Sequence, residues 1–284
     1  MAEGQGHLLT ETLKPAHAPH DDGALVALFE AIAIEAGTAI MDVREKGCAV
    51  EEKADASPVT IADRAAEAII LKQLAKELGA TPCVSEEAAS GGVIPACGED
   101  GFLLVDPLDG TREFINQRPD FTVNIALVRK GVPEVGVVYA PARQTLWSGR
   151  PGSAEKAKIE DGRIISREAI QVREAPNPPV IVASRSHLTP ETESFIARYP
   201  GATTVSVGSS LKFCLIAEGE ADLYPRFGPT MQWDTAAGDA VLRAAGGRTT
   251  HEDGSLLAYG PKKGEGLEQF RNPNFVATGK AAKA

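Results

Sequence analysis

Residues 102–111 read FLLVDPLDGT, and this stretch constrains the chain more than any other. The unbroken apolar run before Asp106 predicts a buried strand. Pro107 then fixes a turn, Asp109 follows three positions after Asp106, and Gly110-Thr111 open a helix. Two carboxylates at the mouth of a buried strand repel each other and resist leaving water. The stretch therefore calls for a cation at that point.

The rest of the chain supplies layers for such a strand. Leu25, Leu28, Phe29, Ile32, Ile40 and Val43 recur at helical spacing after Asp21-Asp22, which make an N-cap. A loop, KGCAVEEKADASP, separates this helix from a second that starts around Thr60 to Asp63 and stops at Gly79. A short strand is expected in TPCVSEEAA. Residues 121–141 read as two strands joined at Lys130-Gly131, and TLWSGR continues the sheet. Residues 150–178, rich in Gly, Pro and charge, read as irregular strands or a boundary. A second unit follows: a strand in PVIVASRSH, a helix near TPETESFIARYP, then strand, helix and strand over 203–227. The last helix lies in WDTAAGDAVLRAAGG, with Asp234 as its N-cap and Gly246-Gly247 as its stop. The expected class is α/β. The expected organisation is a flexible leader over 1–20, an N-terminal metal-binding half over 21–149, and a C-terminal half over 150–284 that completes the pocket.

Charge narrows the function. With 29 basic and 39 acidic residues the net charge is −10, so no basic face for nucleic acid is expected. Cys48, Cys83, Cys97 and Cys214 form no CxxC pair and no disulfide framework, which fits reduced thiols in the cytoplasm. No apolar run is seen to approach the ~20 residues that a membrane span needs. Peripheral association with the inner face of a membrane stays open.

Four carboxylates fall at element ends: Glu86 after CVS, Asp106 and Asp109 after FLLV, and Asp234 before a helix. Oxygen sets of this kind suit a hard cation such as Mg2+. The Leu108 carbonyl lies between the two aspartates, Gly110 permits close approach of a ligand, and helix-opening amides at Thr111 favour phosphate. Aspartate beside Pro or Gly is also ordinary turn chemistry, and an N-cap alone accounts for an aspartate such as Asp234. Spacing does not join residues 86, 109 and 234 in space.

SEE, DPLDGT and WDTAAGDAVLRAAGG together resemble the three motifs of the inositol monophosphatase superfamily, over about residues 25 to 277. Within it the chain is most similar to the CysQ-type 3'(2'),5'-bisphosphate nucleotidases, through KADASPVTIAD, DPLDGTREF, SRSH and GSSLKFCLIAEGEADLYPRFGPT. Arg112 stands where lysine is commoner in these relatives, and Gln232 where many carry glutamate. The resemblance implies an αβαβα sandwich. It implies metal ligation by Glu86, Asp106, Asp109, Asp234 and the Leu108 carbonyl, with two or three Mg2+ ions and inhibition by Li+. It implies Asp55 and Thr111 as the pair acting on water. It implies Ser209, Lys212 and Arg226 on the 5'-phosphate and sugar, His187 near the base, and Glu86, Asp109, Gly110, Thr111 and Asp234 around the phosphate that leaves.

The activity implied is Mg2+-dependent hydrolysis of 3'-phosphoadenosine 5'-phosphate to AMP and phosphate, in sulfur assimilation or nucleotide recycling. The implied partner is a small phosphorylated nucleotide, and the implied state a cytoplasmic monomer or homodimer. The rival readings are an inositol monophosphatase or sugar-phosphate phosphatase with the same metal site, and a non-catalytic phosphonucleotide binder.

Overall fold

The computed structural model describes residues 21–47, 50–52, 58–79, 81–184 and 189–280. The expected leader over 1–20, and Cys48, Asp55 and His187, lie outside the described residues. Helix α1 (Asp22–Lys46) is followed by a short hairpin, β1 (Val50–Glu52) and β2 (Pro58–Thr60), where only a loop was expected. Helix α2 (Ile61–Leu78) starts at a capping box: Thr60 accepts from the Ala62 amide while Asp63 Oδ2 takes the Thr60 amide at 2.7 Å. It ends at Gly79, whose φ of 59° suits a residue without Cβ.

The first sheet has seven strands: β3 (Cys83–Ser85), β4 (Phe102–Asp109), β5 (Thr122–Arg129), β6 (Val132–Ala140), β7 (Thr145–Arg150), β8 (Ser153–Glu160) and β9 (Arg163–Ala169). They lie in chain order, with β3 and β4 parallel and the rest antiparallel. The β5–β6 hairpin turns at Lys130 (φ 48°) and Gly131 (φ 77°), the two positive-φ positions of a tight turn. The sheet carries on past the boundary expected at 149/150, through β8 and β9 to Ala169, with a register shift between Lys158 and Ile159. The charge there belongs to outward positions on ordinary strands: β9 is exposed at all but one of its residues.

The near-continuous apolar runs of β4, β5 and β6 follow from burial on both faces. Leu103, Val105, Val123, Ile125, Val135 and Val137 pack under α1 and α2. Their alternates Phe102, Leu104, Ala126, Val128 and Val138 join the second core. Burying each such side chain stabilises by roughly 1.5–3 kcal/mol. Contrary to the reading of the sequence, α1 does contain an 18-residue window apolar enough for a membrane, with mean hydropathy 1.8. Its large apolar residues Leu25, Phe29, Ile32 and Ile40 are buried on the sheet, and its exposed positions are Ala24, Ala27, Ala31, Glu35, Thr38, Asp42, Glu45 and Lys46. It is a core helix.

On the other face lie α6 (Leu211–Ala217) and α7 (Ala236–Ala244). Beyond them is a five-stranded sheet of β10 (Val180–Ala183), β11 (Thr203–Ser206), β12 (Leu223–Arg226), β13 (Arg248–Thr250) and β14 (Phe275–Thr278). Its order is β11-β10-β12-β14-β13, and α5 (Pro190–Ile196) lies against β12. The layers form the αβαβα sandwich. Two glycines seat α7: a Cβ on Gly136 would stand 2.6 Å from the Ala237 carbonyl, and one on Gly149 2.6 Å from Val241 Cα. Helix α7 therefore rests directly on the sheet, which brings the segment before it to the mouth of β4.

Candidate active site

Between the two sheets is a cavity of about 270 Å³ whose lining includes Glu86, Asp106, Leu108, Asp109, Asp234 and Thr111. Each arrives by a local rule. Glu86 opens α3 (Glu86–Ser90), which is held by Glu67 of α2: its Oε1 accepts the Ala88 amide at 3.0 Å and also the Ser85 hydroxyl. Asp106 and Asp109 end β4, and the ladder to β5 shifts register between them at Pro107, which has no amide hydrogen to give. Gly110 has φ 94°, and a Cβ there would lie 3.0 Å from the Asp120 carbonyl; it leads into α4 (Thr111–Ile115). Asp234 is not the cap of α7, as expected from sequence. Thr235 takes that position, and Asp234 Oδ2 turns back to accept the Met231 amide at 2.9 Å.

Three acids are each anchored through one oxygen. Asp109 Oδ2 accepts the Ser210 amide at 2.7 Å and Asn124 Nδ2 at 3.3 Å, and Asp106 Oδ1 accepts the Leu108 amide at 3.0 Å. The second oxygens of Asp109 and Asp234 have no hydrogen-bond partner among the described residues. Burial, then the charges of Glu86, Asp109 and Asp234, push the Asp106 carboxyl well above its usual range. Burial, then Asp109 and Glu86, does the same to Asp234. Burial raises Asp109 to about 6 against the opposing pull of Lys212.

Among the described residues no three Asp, Glu, His or Cys side chains already stand together as a closed ion site. The four acids line one cavity. This donor set fits Mg2+: hard oxygens around one cavity, with the second oxygens of Asp109 and Asp234 uncommitted among the described residues.

The titration has a testable sign. Asp109 binds protons more tightly folded (about 6) than at the ordinary 3.8, so between these values the native state holds the extra proton. Raising pH through that window removes stability, on the order of 3 kcal/mol for this group alone. A bound cation competes with those protons. The gain in melting temperature on adding Mg2+ is therefore expected to grow between pH 5 and pH 7 in thermal melts. A gain that is absent or independent of pH contradicts the assignment.

The same cavity is also lined by two cations. Lys212 is buried and donates to the Ser209 carbonyl at 2.6 Å, and burial lowers its ammonium to about 8. Arg226, also buried, donates to the Pro229 carbonyl at 2.6 Å, and its Nε has no partner among the described residues. Ser209 lines the cavity at φ 45°, a conformation uncommon for any residue but glycine. Arg112 reaches the rim and is exposed. Gln232 is buried and clasps Gly260 both ways, donating to its carbonyl at 2.8 Å and accepting its amide at 2.7 Å. A glutamate there would lack the donor, so the glutamine is matched to its surroundings.

One residue escaped the sequence reading. Asp63 is buried in the first turn of α2, and its Oδ1 accepts the Thr111 hydroxyl at 3.1 Å. Thr111 Oγ1 also lies 3.3 Å from the Leu108 carbonyl. The only local signal was the Thr60–Asp63 capping spacing, which reads as a helix start and nothing more.

Two packed sheets with an acid-lined cavity at their junction define an inositol monophosphatase-like αβαβα protein. The inositol monophosphatase family pattern matches residues 22–278, and the chain belongs to that family. It is 46% identical over 246 residues to the 3'(2'),5'-bisphosphate nucleotidase CysQ of Escherichia coli K12, covering 86% of this chain and 95% of that one. The crystal structure of CysQ from Bacteroides thetaiotaomicron, described as a bacterial member of the inositol monophosphatase family, superposes with a TM-score of 0.72. It is 38% identical, over 90% of this chain and 97% of that one. An inositol monophosphatase from Thermotoga maritima shares the fold at a TM-score of 0.71, with 24% identity over 90% of this chain and 92% of that one.

Proposed function

We propose that this chain is a Mg2+-dependent 3'(2'),5'-bisphosphate nucleotidase that converts 3'-phosphoadenosine 5'-phosphate to AMP and phosphate in the cytoplasm. The observation that carries the reading is a cavity lined by charges of both signs: four acids, and two buried cations, Lys212 and Arg226. A monophosphate needs one anion subsite. A bisphosphate needs two, separated, of which only one is the site of cleavage.

Glu86, Asp106, Asp109, Asp234 and the Leu108 carbonyl would hold the divalent ions. When bound, Mg2+ supplies Lewis acidity, neutralising phosphate oxygens and making a water acidic. The chain's own residues do the rest. Asp63 Oδ1 takes the Thr111 hydroxyl hydrogen, which leaves the Thr111 oxygen free to accept a hydrogen from water in the cavity. The proton then passes through Thr111 to Asp63. Asp63 takes the general-base role expected of Asp55, since it is the aspartate in contact with Thr111 among the described residues. Asp63 is prepared for a proton, because burial raises its carboxyl above the ordinary 3.8. Lys212 and Arg226 would hold the second phosphate, while the acids would hold the ions at the phosphate that is cleaved. The net charge of −10 does not prevent this, since charges beyond a Debye length of ~8 Å are largely screened.

A phosphate-release panel in Mg2+ tests the assignment. 3'-Phosphoadenosine 5'-phosphate is expected to exceed inositol 1-phosphate, AMP and hexose phosphates by at least ~100-fold in kcat/KM, because losing one paired charged contact costs about 3 kcal/mol. Equal turnover of inositol 1-phosphate would transfer the chain to the monophosphatase reading. No release from any substrate would leave a binder.

A further inference from the structure

Asn124 is fully buried on β5, opposite Asp106 in the ladder, and every polar atom of its side chain is engaged. Nδ2 donates to Asp109 Oδ2 at 3.3 Å and to Ser210 Oγ at 3.1 Å, while Oδ1 accepts the Thr122 hydroxyl at 2.9 Å. Ser210 sends its amide to the same Asp109 oxygen at 2.7 Å and its one hydroxyl hydrogen to the Asp234 carbonyl at 2.6 Å. The hydrogens can be assigned in one way only. The Ser210 hydroxyl is already a donor, so it must accept from Asn124, and Asp109 must be approached by N–H rather than by oxygen. Flipping the amide would set its oxygen against the carboxylate.

We infer that Asn124 is a positioning residue that aims Asp109 and, through Ser210, fixes the segment carrying Asp234, so that acids from both halves face one cation. The inference rests on the proposed metal-dependent reading. Two donors on Asp109 Oδ2 leave the other oxygen as its ligand atom. The Asn124–Ser210–Asp234 chain spans the junction between the first sheet and the openings of α6 and α7, where no strand ladder among the described residues joins the parts. Fully satisfied buried networks of this kind rigidify their members. Groups that orient metal ligands typically alter affinity 10–100-fold when lost.

The test uses the full chain with Asn124→Leu, which keeps the branched shape and removes the amide, and Ser210→Ala, which keeps the Ser210 amide and removes the relay. Mg2+ is titrated against substrate-free protein, followed by calorimetry and by the shift in melting temperature, and then against kcat. Asn124→Leu is expected to weaken Mg2+ binding ~10–100-fold, with kcat largely restored at high Mg2+. Ser210→Ala is expected to weaken it several-fold in the same direction. A merely structural role would lower the melting temperature in chelator and leave Mg2+ affinity where it was; wild-type affinity in both variants overturns the inference. If Asn124→Leu does not fold, Ser210→Ala decides alone, by the same readout. Wild-type protein that neither binds Mg2+ nor releases phosphate overturns the metal-dependent reading, and this inference falls with it.

Discussion

Asp109→Asn is expected to lower phosphate release from 3'-phosphoadenosine 5'-phosphate by ~10³ or more while the protein folds as before. The substitution keeps the shape, and the asparagine oxygen can still accept the Ser210 amide that now reaches Asp109 Oδ2 at 2.7 Å. What disappears is one charge among four clustered acids. Removing a single group that stabilises charge in a dry site costs roughly 10²–10³ in rate, and a lost ligand charge also weakens cation binding. Stability should move the other way. Burial already raises the Asp109 carboxyl, with the Glu86 charge adding to the rise, so a neutral side chain relieves repulsion when no cation is present. The expected pair of results is a melting temperature in chelator equal to or above wild type, and a nearly inactive enzyme in Mg2+. Wild-type turnover by the purified variant would remove Asp109 from the site.

Asp63→Asn is expected to reduce kcat by ~10²–10⁴ with little change in KM, because Asp63 touches the water-handling Thr111 and not the second phosphate. The capping contact survives in part, since an asparagine oxygen also accepts the Thr60 amide, so the stability cost stays within ~0.5–2 kcal/mol. The sharper measurement is the double variant. Thr111→Ala removes the same step, and residues that act as one unit give non-additive losses. Asp63→Asn combined with Thr111→Ala should therefore be little slower than either alone. Multiplying losses would show that the two residues act separately.

Much of the frame was legible because it obeys short-range rules. The apolar run ending at Asp106, the Lys130-Gly131 turn and the stop at Gly79 all follow from backbone chemistry within a few residues. The strands β8 and β9 were legible only as irregular strands or a boundary, since alternation with Lys, Arg and Glu blurs the apolar signal of a strand. Asp234 was mistaken for a helix cap because its carboxylate turns back on Met231, a choice that local propensity does not reveal. The four acids could be named from motif resemblance, but their meeting depends on glycines at 136 and 149 that let α7 sit on the sheet. Asp63 looked like half of a capping box, and its contact with Thr111 spans 48 positions. Asn124 and Ser210 are ordinary polar residues in the sequence until the fold assigns their hydrogens.

The most direct test is phosphate release from 3'-phosphoadenosine 5'-phosphate by the wild-type protein, measured in Mg2+ and again in excess chelator. The account predicts rapid release in Mg2+, negligible release in chelator and full recovery when Mg2+ is restored. Undiminished turnover in chelator would contradict it, because the clustered carboxylates would then be performing hydrolysis without the cation that their burial demands.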